Sequence, residues 1–142
     1  MRAMVPQPYF LRIDHLGIAV PSLDESVPLY EALLGAPAQH FEEVPDQRVR
    51  TAFFSVGESH FELLEATGED SPIAKALAKG RKGIHHLCVA VRDLDGLLAE
   101  YKAKGVRLID ETPRIGAGGK RIAFVHPHAT GGILLELSED PA

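Results

Sequence analysis

The stretch that decides the fold is "HLGIAVPSLD" at residues 15–24, because a second copy, "HLCVAVRDLD", occupies residues 86–95. Six of the ten aligned positions are identical, and the copies are separated by a constant 71 residues (86 − 15). A period of that length is too long for a solenoid unit, so it indicates two copies of a half-domain.

Each copy continues from its strand into a helix and then into further strands. In the first copy the pattern predicts a strand at 11–20, a helix at 23–34 and strands at 49–56 and 60–66, with one more strand not located. In the second copy it predicts a strand at 84–91, a helix from its cap Asp93 to Gly105, and strands at 106–110, 121–126 and 132–138. Between them, a helix at 71–80 is predicted, with Ser71 as its cap, Pro72 at the first position and Gly80 at its end.

The sequence therefore predicts an α+β fold of two tandem βαβββ modules, about 11–66 and 82–138, within a single domain spanning residues 1–142. The two open sheets are expected to curl together as a half-barrel around a shared cleft. Equivalent positions of the two copies should then converge on that cleft.

Composition narrows the class of protein. A chain of 142 residues with 45% hydrophobic content can bury one core, and a formal net charge of −5 disfavours nucleic acid or an anionic membrane as a partner. Residues 1–10 contain two prolines and lack the apolar core of a signal peptide, and no run is long enough to span a bilayer. With Cys88 as the single cysteine, we expect a soluble protein of the reducing cytoplasm.

Alternation along the strands selects one histidine from the pair His85–His86. Since successive side chains of a strand face opposite sides, His86 shares a face with small residues, as the equivalent His15 does. His85 is expected to face the other way and to have no functional role. The small neighbours leave space for a ligand beside His15 and His86.

Each copy also places a glutamate between apolar residues of its last strand, Glu62 in "FEL" and Glu136 in "LEL", 74 residues apart (136 − 62). A buried carboxylate is costly unless it is paired, protonated or bound to a metal. The alternative is that the glutamates lie on a solvated face and the histidines are hydrogen-bonded fillers. Because the repeat duplicates all four residues, we favour a metal site formed by His15, Glu62, His86 and Glu136. Such nitrogen and oxygen ligands suit Co²⁺, Mn²⁺, Zn²⁺, Ni²⁺ or Fe²⁺.

The repeat resembles the vicinal oxygen chelate superfamily (the glyoxalase/bleomycin resistance/dioxygenase superfamily), and most closely its methylmalonyl-CoA epimerases. The resemblance covers about residues 12–137 and is carried by "IDHLGIAVPSLDESVPLYEALLGA", "ELLEATGEDSPIAKALAKG", "KGIHHLCVAV" and "RIGAGGKRIAFVHPHATGGILLEL". It implies a glyoxalase-like half-barrel, a homodimer, an acyl-CoA substrate and a divalent metal, with Co²⁺ first among the candidates.

The resemblance also implies the reaction and the roles of the four residues. The reaction is interconversion of (2R)- and (2S)-methylmalonyl-CoA through a metal-stabilised enolate, with His15, Glu62, His86 and Glu136 as ligands. Proton exchange on two faces requires two acid/base groups. Glu136 can serve as one. Some relatives carry a glutamate at the position of Thr51, and threonine is not a base at neutral pH. Either another group acts here, such as Glu62 or a metal-bound water, or one proton exchange is slow, or the reaction is a different one.

Other activities of the superfamily remain as alternatives. His15, His86 and Glu136 alone would suit the iron site of an extradiol dioxygenase, although Glu62 would occupy a position that oxygen and a catechol need. A glyoxalase I-like lyase and a metal-free binding protein of the same fold are the others.

Several further motifs receive weaker interpretations. The glycine-rich "IGAGGK" at 115–120 is a turn or a contact for coenzyme A, whose phosphates Arg114, Lys120 and Arg121 are candidates to bind. "HPH" at 126–128 is expected to be a strand-ending turn. His40 and His60 have no equivalent in the other copy and are expected on the surface, and Cys88 is expected to fill space.

Overall fold

The computed structural model describes residues 8–141. The first seven residues, which include most of the stretch tested above for a signal peptide, lie outside the described residues. The remaining chain forms eight strands and four helices in the order β1(Phe10–Ala19), α1(Leu23–Leu34), β2(His40–Val44), β3(Val49–Val56), β4(Ser59–Ala66), α2(Pro72–Ala78), β5(Gly83–Val91), α3(Leu94–Ala103), β6(Arg114–Ile115), β7(Arg121–Val125), α4(Pro127–Thr130) and β8(Leu135–Glu139).

All eight strands belong to one sheet in the order β2-β3-β4-β1-β5-β8-β7-β6. The first four strands come from the first copy, the last four from the second, and the antiparallel pair β1–β5 joins them at the centre. Within each copy the first and last strands run parallel, as β1 with β4 and β5 with β8. The predicted α+β fold of two βαβββ modules is confirmed.

The duplication extends to the way the two long helices begin. The backbone N–H of Leu23, at the start of α1, donates to Glu65 of β4 at 2.9 Å, and that of Leu94, at the start of α3, donates to Glu139 of β8 at 3.1 Å. Both glutamates satisfy an N–H group that a helix leaves unpaired, and their negative charge suits the helix dipole. Asp93 caps α3 as predicted, since its side chain accepts from the N–H of Gly96.

Two strand predictions need correction in the second copy. Residues 106–110 do not form a strand and contribute only an isolated bridge between Leu108 and Val125. The side chain of Asp110 accepts from the backbone N–H of Phe124 at 2.8 Å, which replaces a ladder hydrogen bond. The short strand Arg114–Ile115 pairs with β7 instead, and the last strand begins at Leu135 rather than at residue 132.

The core is divided in the same way as the sheet. One cluster packs α1 against the first copy and includes Leu23, Phe54 and Leu63, whereas another packs α3 against the second and includes Leu97 and Leu137. Both clusters lie on the face of the sheet opposite the cleft.

The linker helix α2 packs against a third cluster, which lies beside the cleft and contains Val49, Leu64 and Ile73. Ser71 caps this helix by accepting from the N–H of Ile73, as predicted. None of the helices within residues 8–141 has both the length and the apolar character needed to cross a membrane.

Candidate metal centre and active site

The register of the sheet brings the four predicted site residues together. In the first copy Gly17 of β1 pairs with Glu62 of β4, and in the second copy Cys88 of β5 pairs with Glu136 of β8. Because Gly17 is also paired with His86 across the central β1–β5 ladder, side chains from both copies meet at the middle of the sheet.

The four side chains are buried and their polar atoms converge. His15 Nε2 lies 3.1 Å from His86 Nε2, 3.3 Å from Glu62 Oε1 and 3.2 Å from Glu136 Oε1. His86 Nε2 lies 3.5 Å from Glu62 Oε1 and 3.0 Å from Glu136 Oε1. One nitrogen or oxygen from each of four strands therefore faces a single point.

These separations match the geometry of a divalent metal site. An ion about 2.1 Å from each imidazole nitrogen and carboxylate oxygen places neighbouring ligand atoms about 3.0–3.4 Å apart. Two imidazoles and two carboxylates are also a donor set for Co²⁺, Mn²⁺, Zn²⁺, Ni²⁺ or Fe²⁺. The buried cluster of His15, His86 and Glu136, with Glu62 beside it, is a possible metal-binding site.

A glycine makes room for one of the two rings. A Cβ atom on Gly17 would lie 2.1 Å from Cε1 of His86 and 2.5 Å from its Nε2. The His86 ring therefore occupies the space that any side chain at position 17 would fill. Phe53 and Phe124, which are equivalent in the two copies, flank the site and meet the rings of His15 and His86 edge-on.

Asp14 holds His15 in place and was missed by the sequence analysis. Its Oδ2 lies 2.8 Å from His15 Nδ1. With a proton on Nδ1 donated to this carboxylate, His15 presents the lone pair of Nε2 to the metal position. Strict alternation would put adjacent residues on opposite faces, but the β1–β5 register shifts between Ile13 and His15, so that both Asp14 and His15 are buried.

His85 occupies the equivalent place in the second copy, and its predicted orientation was wrong. Its Nδ1 lies 3.1 Å from Nδ1 of His86, so its ring turns back towards its neighbour. Burial, followed by the positive charge of His86, lowers the pKa of His85 to about 4, and it is neutral at physiological pH. A neutral imidazole can accept a hydrogen bond from His86 Nδ1, which leaves Nε2 of His86 free to bind a metal.

The electrostatics of the cluster favour bound positive charge. Burial alone lowers the pKa of each central histidine. Hydrogen bonds that the imidazoles donate to acidic neighbours raise both pKa values overall, that of His86 to about 9, and the largest effects come from Asp14 on His15 and from Glu136 on His86. Burial alone raises the pKa of Glu62 and Glu136, yet their hydrogen bonds to the histidines lower both. Two ionised carboxylates in the interior require a cation beside them, either protonated histidine or a metal.

Cys88 fits the prediction of a space-filling residue. It is fully buried, and burial raises the pKa of its thiol to about 12, so that it is no nucleophile at neutral pH.

A cavity of about 230 Å³ opens beside the cluster and is lined from both halves of the sheet. Its walls include His40, Glu42, Thr51 and His60 of the first copy. The prediction that His40 lies on the surface is confirmed, because its side chain is 59% exposed, whereas His60 is half-buried. Glu42 had no assigned role because its strand, β2, had not been located in the sequence.

The glycine-rich segment forms a tight turn at the mouth of this cavity. The N–H of Gly118 donates to both carboxylate oxygens of Glu42 at 3.0 Å, which ties the turn to β2 across the cleft. Lys120 lines the cavity and lies 3.4 Å from Asp14, whereas Arg121 forms ion pairs with Asp95 on α3.

The remaining basic residue, Arg114, and the "HPH" motif do not line this cavity. The guanidinium of Arg114 lies 5.4 Å from the centre of the Phe124 ring and 3.3 Å from Asp110. "HPH" forms the start of the four-residue helix α4, where the His126 side chain accepts from the N–H of His128.

Comparison with known proteins agrees with this geometry. The family model of the glyoxalase/bleomycin resistance protein/dioxygenase superfamily matches residues 14–124. The chain is 37% identical over 129 residues to the mitochondrial methylmalonyl-CoA epimerase of Homo sapiens, covering 90% of this chain and 73% of that protein. It is 38% identical to the ethylmalonyl-CoA/methylmalonyl-CoA epimerase of Cereibacter sphaeroides, covering 90% of this chain and 97% of that one.

The chain belongs to the methylmalonyl-CoA epimerase family of this superfamily. Among solved structures, the methylmalonyl-CoA epimerase from Mycobacterium tuberculosis superposes with a TM-score of 0.92 at 38% identity, covering 98% of this chain and 94% of that one. A methylmalonyl-CoA epimerase in complex with methylmalonyl-CoA and NH₄⁺ superposes with a TM-score of 0.88 at 40% identity, covering 94% of this chain and 96% of that one. Similarity to the methylmalonyl-CoA epimerases thus extends over nearly the whole chain.

Proposed function

We propose that this protein interconverts (2R)- and (2S)-methylmalonyl-CoA. The observation that carries the proposal is a cluster at the wall of a cavity, in a chain of this family, in which each glutamate oxygen lies 3.0–3.5 Å from both histidine nitrogens. Epimerisation removes the proton on C2, between a thioester and a carboxylate, and returns a proton to the opposite face.

The ligands proposed for the metal are His15, Glu62, His86 and Glu136, and Co²⁺ is the first candidate, before Mn²⁺, Zn²⁺, Ni²⁺ and Fe²⁺. A bound divalent ion would supply Lewis-acid chemistry, polarising the thioester carbonyl and stabilising the negative charge of the enolate. Asp14 and His85 would keep the Nε2 atoms of the two histidines directed at the ion.

We assign the removal of the proton on C2, and its return, to carboxylates of the chain. Glu136 contacts the histidine pair through Oε1, which leaves Oε2 to accept the proton from C2 and to return one. Glu62 is a ligand and, from the sequence, a candidate for the second acid/base. Its Oε1 lies within 3.5 Å of both histidines, as Oε1 of Glu136 does, and both glutamates are therefore proposed as ligands.

The proposed partner is an acyl-CoA. A cavity of about 230 Å³ accommodates the malonyl end of such a molecule, whereas the coenzyme extends past the mouth near Gly118 and Lys120. We also propose a homodimer in the cytoplasm. Large apolar side chains at the surface, including Leu33 at 77% and Ile84 at 71% exposure, support association with a second copy.

The decisive experiment follows deuterium at C2 of methylmalonyl-CoA in D₂O by mass spectrometry, with metal-stripped and Co²⁺-loaded protein and with correction for spontaneous exchange. We expect metal-dependent exchange accompanied by inversion, and loss of the inversion in Glu136→Gln. Glu69→Gln, a change at an exposed residue of the loop before α2, is the matched control and should behave like the unaltered protein.

Absence of exchange above background in the metal-loaded protein would refute the proposed substrate. Oxygen uptake with a catechol and Fe²⁺ would then indicate an extradiol dioxygenase, and turnover of the methylglyoxal–glutathione hemithioacetal a glyoxalase I-like lyase. Failure to retain any divalent metal after dialysis at neutral pH would indicate a metal-free binding protein.

A further inference from the structure

This inference rests on the proposed function, in which a proton is removed from one face of C2 and another is added to the opposite face. Glu136 is the acid/base group proposed for one face, and the other face still needs one. Glu62 and Glu136 both contact the histidine pair through Oε1, and Glu136 is already assigned to one face of C2. A second carrier that can move a proton should face the cavity from outside this cluster.

Among the described residues, four carboxylates line the cavity, namely Asp14, Glu42, Glu62 and Glu136. Asp14 is not free, because Oδ2 is bound to His15 Nδ1 at 2.8 Å and Oδ1 lies 3.4 Å from the ammonium of Lys120. With Asp14 and the two cluster glutamates engaged, Glu42 is the carboxylate of this cavity that does not contact a proposed ligand.

Glu42 faces the cavity because of its register in the sheet. It pairs with Thr51 of β3, and Thr51 pairs with Leu64 of β4, so these three side chains form one row on the cleft face. Glu62 lies two strands from Glu42, about 10 Å across the sheet, and two residues, about 7 Å, along it. A separation of this size leaves space for an acyl group between Glu42 and the cluster.

The contacts of Glu42 hold its carboxylate without removing it from solvent. The Gly118 N–H lies 3.0 Å from both of its oxygens, and His40 Nε2 lies 3.0 Å from Oε1. The Glu42 side chain is 26% exposed and its neighbour His40 is 59% exposed. A proton taken up by this carboxylate can therefore exchange with bulk water.

We propose that Glu42 is the second acid/base of the reaction and acts on the face of C2 opposite Glu136. For one epimer, Glu136 accepts the proton as the C2–H bond breaks and its electron pair enters the enolate, and protonated Glu42 then donates its proton to C2. For the other epimer Glu42 accepts and Glu136 donates. Protons are conserved in each direction, and the enzyme returns to its initial state after exchange with solvent.

The test compares Glu42→Gln with the control Glu43→Gln, each given the (2R) and the (2S) substrate separately in D₂O. Gln can still accept from the Gly118 N–H, and Glu43 lies next in the same strand but is exposed on the other face. We expect kcat for epimerisation to fall about 10²–10⁴-fold in Glu42→Gln with KM changed less than about twofold. One epimer should still exchange its C2 proton, through Glu136, whereas the other should not.

Other outcomes would overturn the assignment. Equal losses of exchange from both epimers, or a change in KM alone, would show that Glu42 has only a structural role, linking β2 to the glycine-rich turn. One-sided exchange in His60→Gln instead would assign the role to His60. If the unaltered protein exchanges neither epimer, the proposed function itself fails, and that result is distinct from any result with the variants.

Discussion

Replacing Gly17 by alanine is the sharpest test of the site's geometry. The added Cβ would lie 2.1 Å from Cε1 of His86, whereas an ordinary contact requires at least 3.4 Å. The ring must therefore retreat by about 1.3 Å, unless the β1–β5 ladder separates. Metal–ligand distances vary by only about 0.2 Å around their usual values, so a ring displaced this far would no longer bind the metal well.

Loss of one ligand sets the expected magnitude. Removing even an outer partner of a metal ligand typically lowers affinity about 10–100-fold, and displacing the ligand itself should cost at least the upper end of that range. We also expect about 1–3 kcal/mol of destabilisation from overpacking. Isothermal titration with Co²⁺ and urea unfolding measure the two effects separately.

The control for this change is Gly68→Ala. Its added Cβ would lie 3.1 Å from a carboxylate oxygen of Asp70, a flexible side chain, so metal affinity should be unchanged. If Gly17→Ala bound Co²⁺ as tightly as the unaltered protein and exchanged the C2 proton at the same rate, the proposal that His86 is a ligand held over Gly17 would be wrong.

Four further outcomes follow from the surroundings of the cluster. Asp14→Asn, which weakens the hold on His15 Nδ1, should lower Co²⁺ affinity about 10–100-fold, and unchanged affinity in a titration would contradict its role. His85→Phe should have a similar effect through His86, partly restored in His85→Asn if hydrogen bonding is the cause. In the metal-free protein the raised pKa of His86, from 6.5 to about 9, stabilises the fold fully below pH 6.5 and is lost as the pH rises through 9. Urea unfolding should therefore show up to about 3 kcal/mol less stability at pH 9.5 than at pH 6.5, a trend that bound Co²⁺ should abolish. Cys88, buried and with its pKa raised to about 12, should resist iodoacetamide at pH 8 until the protein is unfolded, and rapid labelling of the folded protein would show that β5 opens.

The internal repeat made the centre of the molecule predictable. It related His15 to His86 at a spacing of 71 residues and Glu62 to Glu136 at a spacing of 74, and the sheet holds the two glutamates in matching registers, opposite Gly17 and Cys88. Periodicity also located both long helices, since α1 spans Leu23–Leu34 as predicted and α3 begins directly after Asp93.

The repeat could not reveal features that differ between the copies. Asp14 escaped detection because a register shift in β1 breaks the alternation on which the prediction depended. His85 was placed on the wrong side because backbone parity does not determine where a long side chain turns. Strand β2 was not found because "HFEE" carries no apolar alternation, as is common at a sheet edge, and Glu42 was overlooked with it.

These differences between the two copies make the cavity asymmetric. The four residues proposed as ligands come in equivalent pairs, so duplication alone supplies a nearly symmetric set of donor atoms. Glu42 pairs with Thr51 in the first copy, and the residue at the equivalent register of the second copy, opposite Ile122, is Arg114. One edge strand thus contributes a carboxylate to the cavity, whereas the other contributes a guanidinium that lies over Phe124. Under the proposed function, methylmalonyl-CoA has two different ends, and such unequal edges would let it bind in one orientation, with the same face of C2 always towards Glu136.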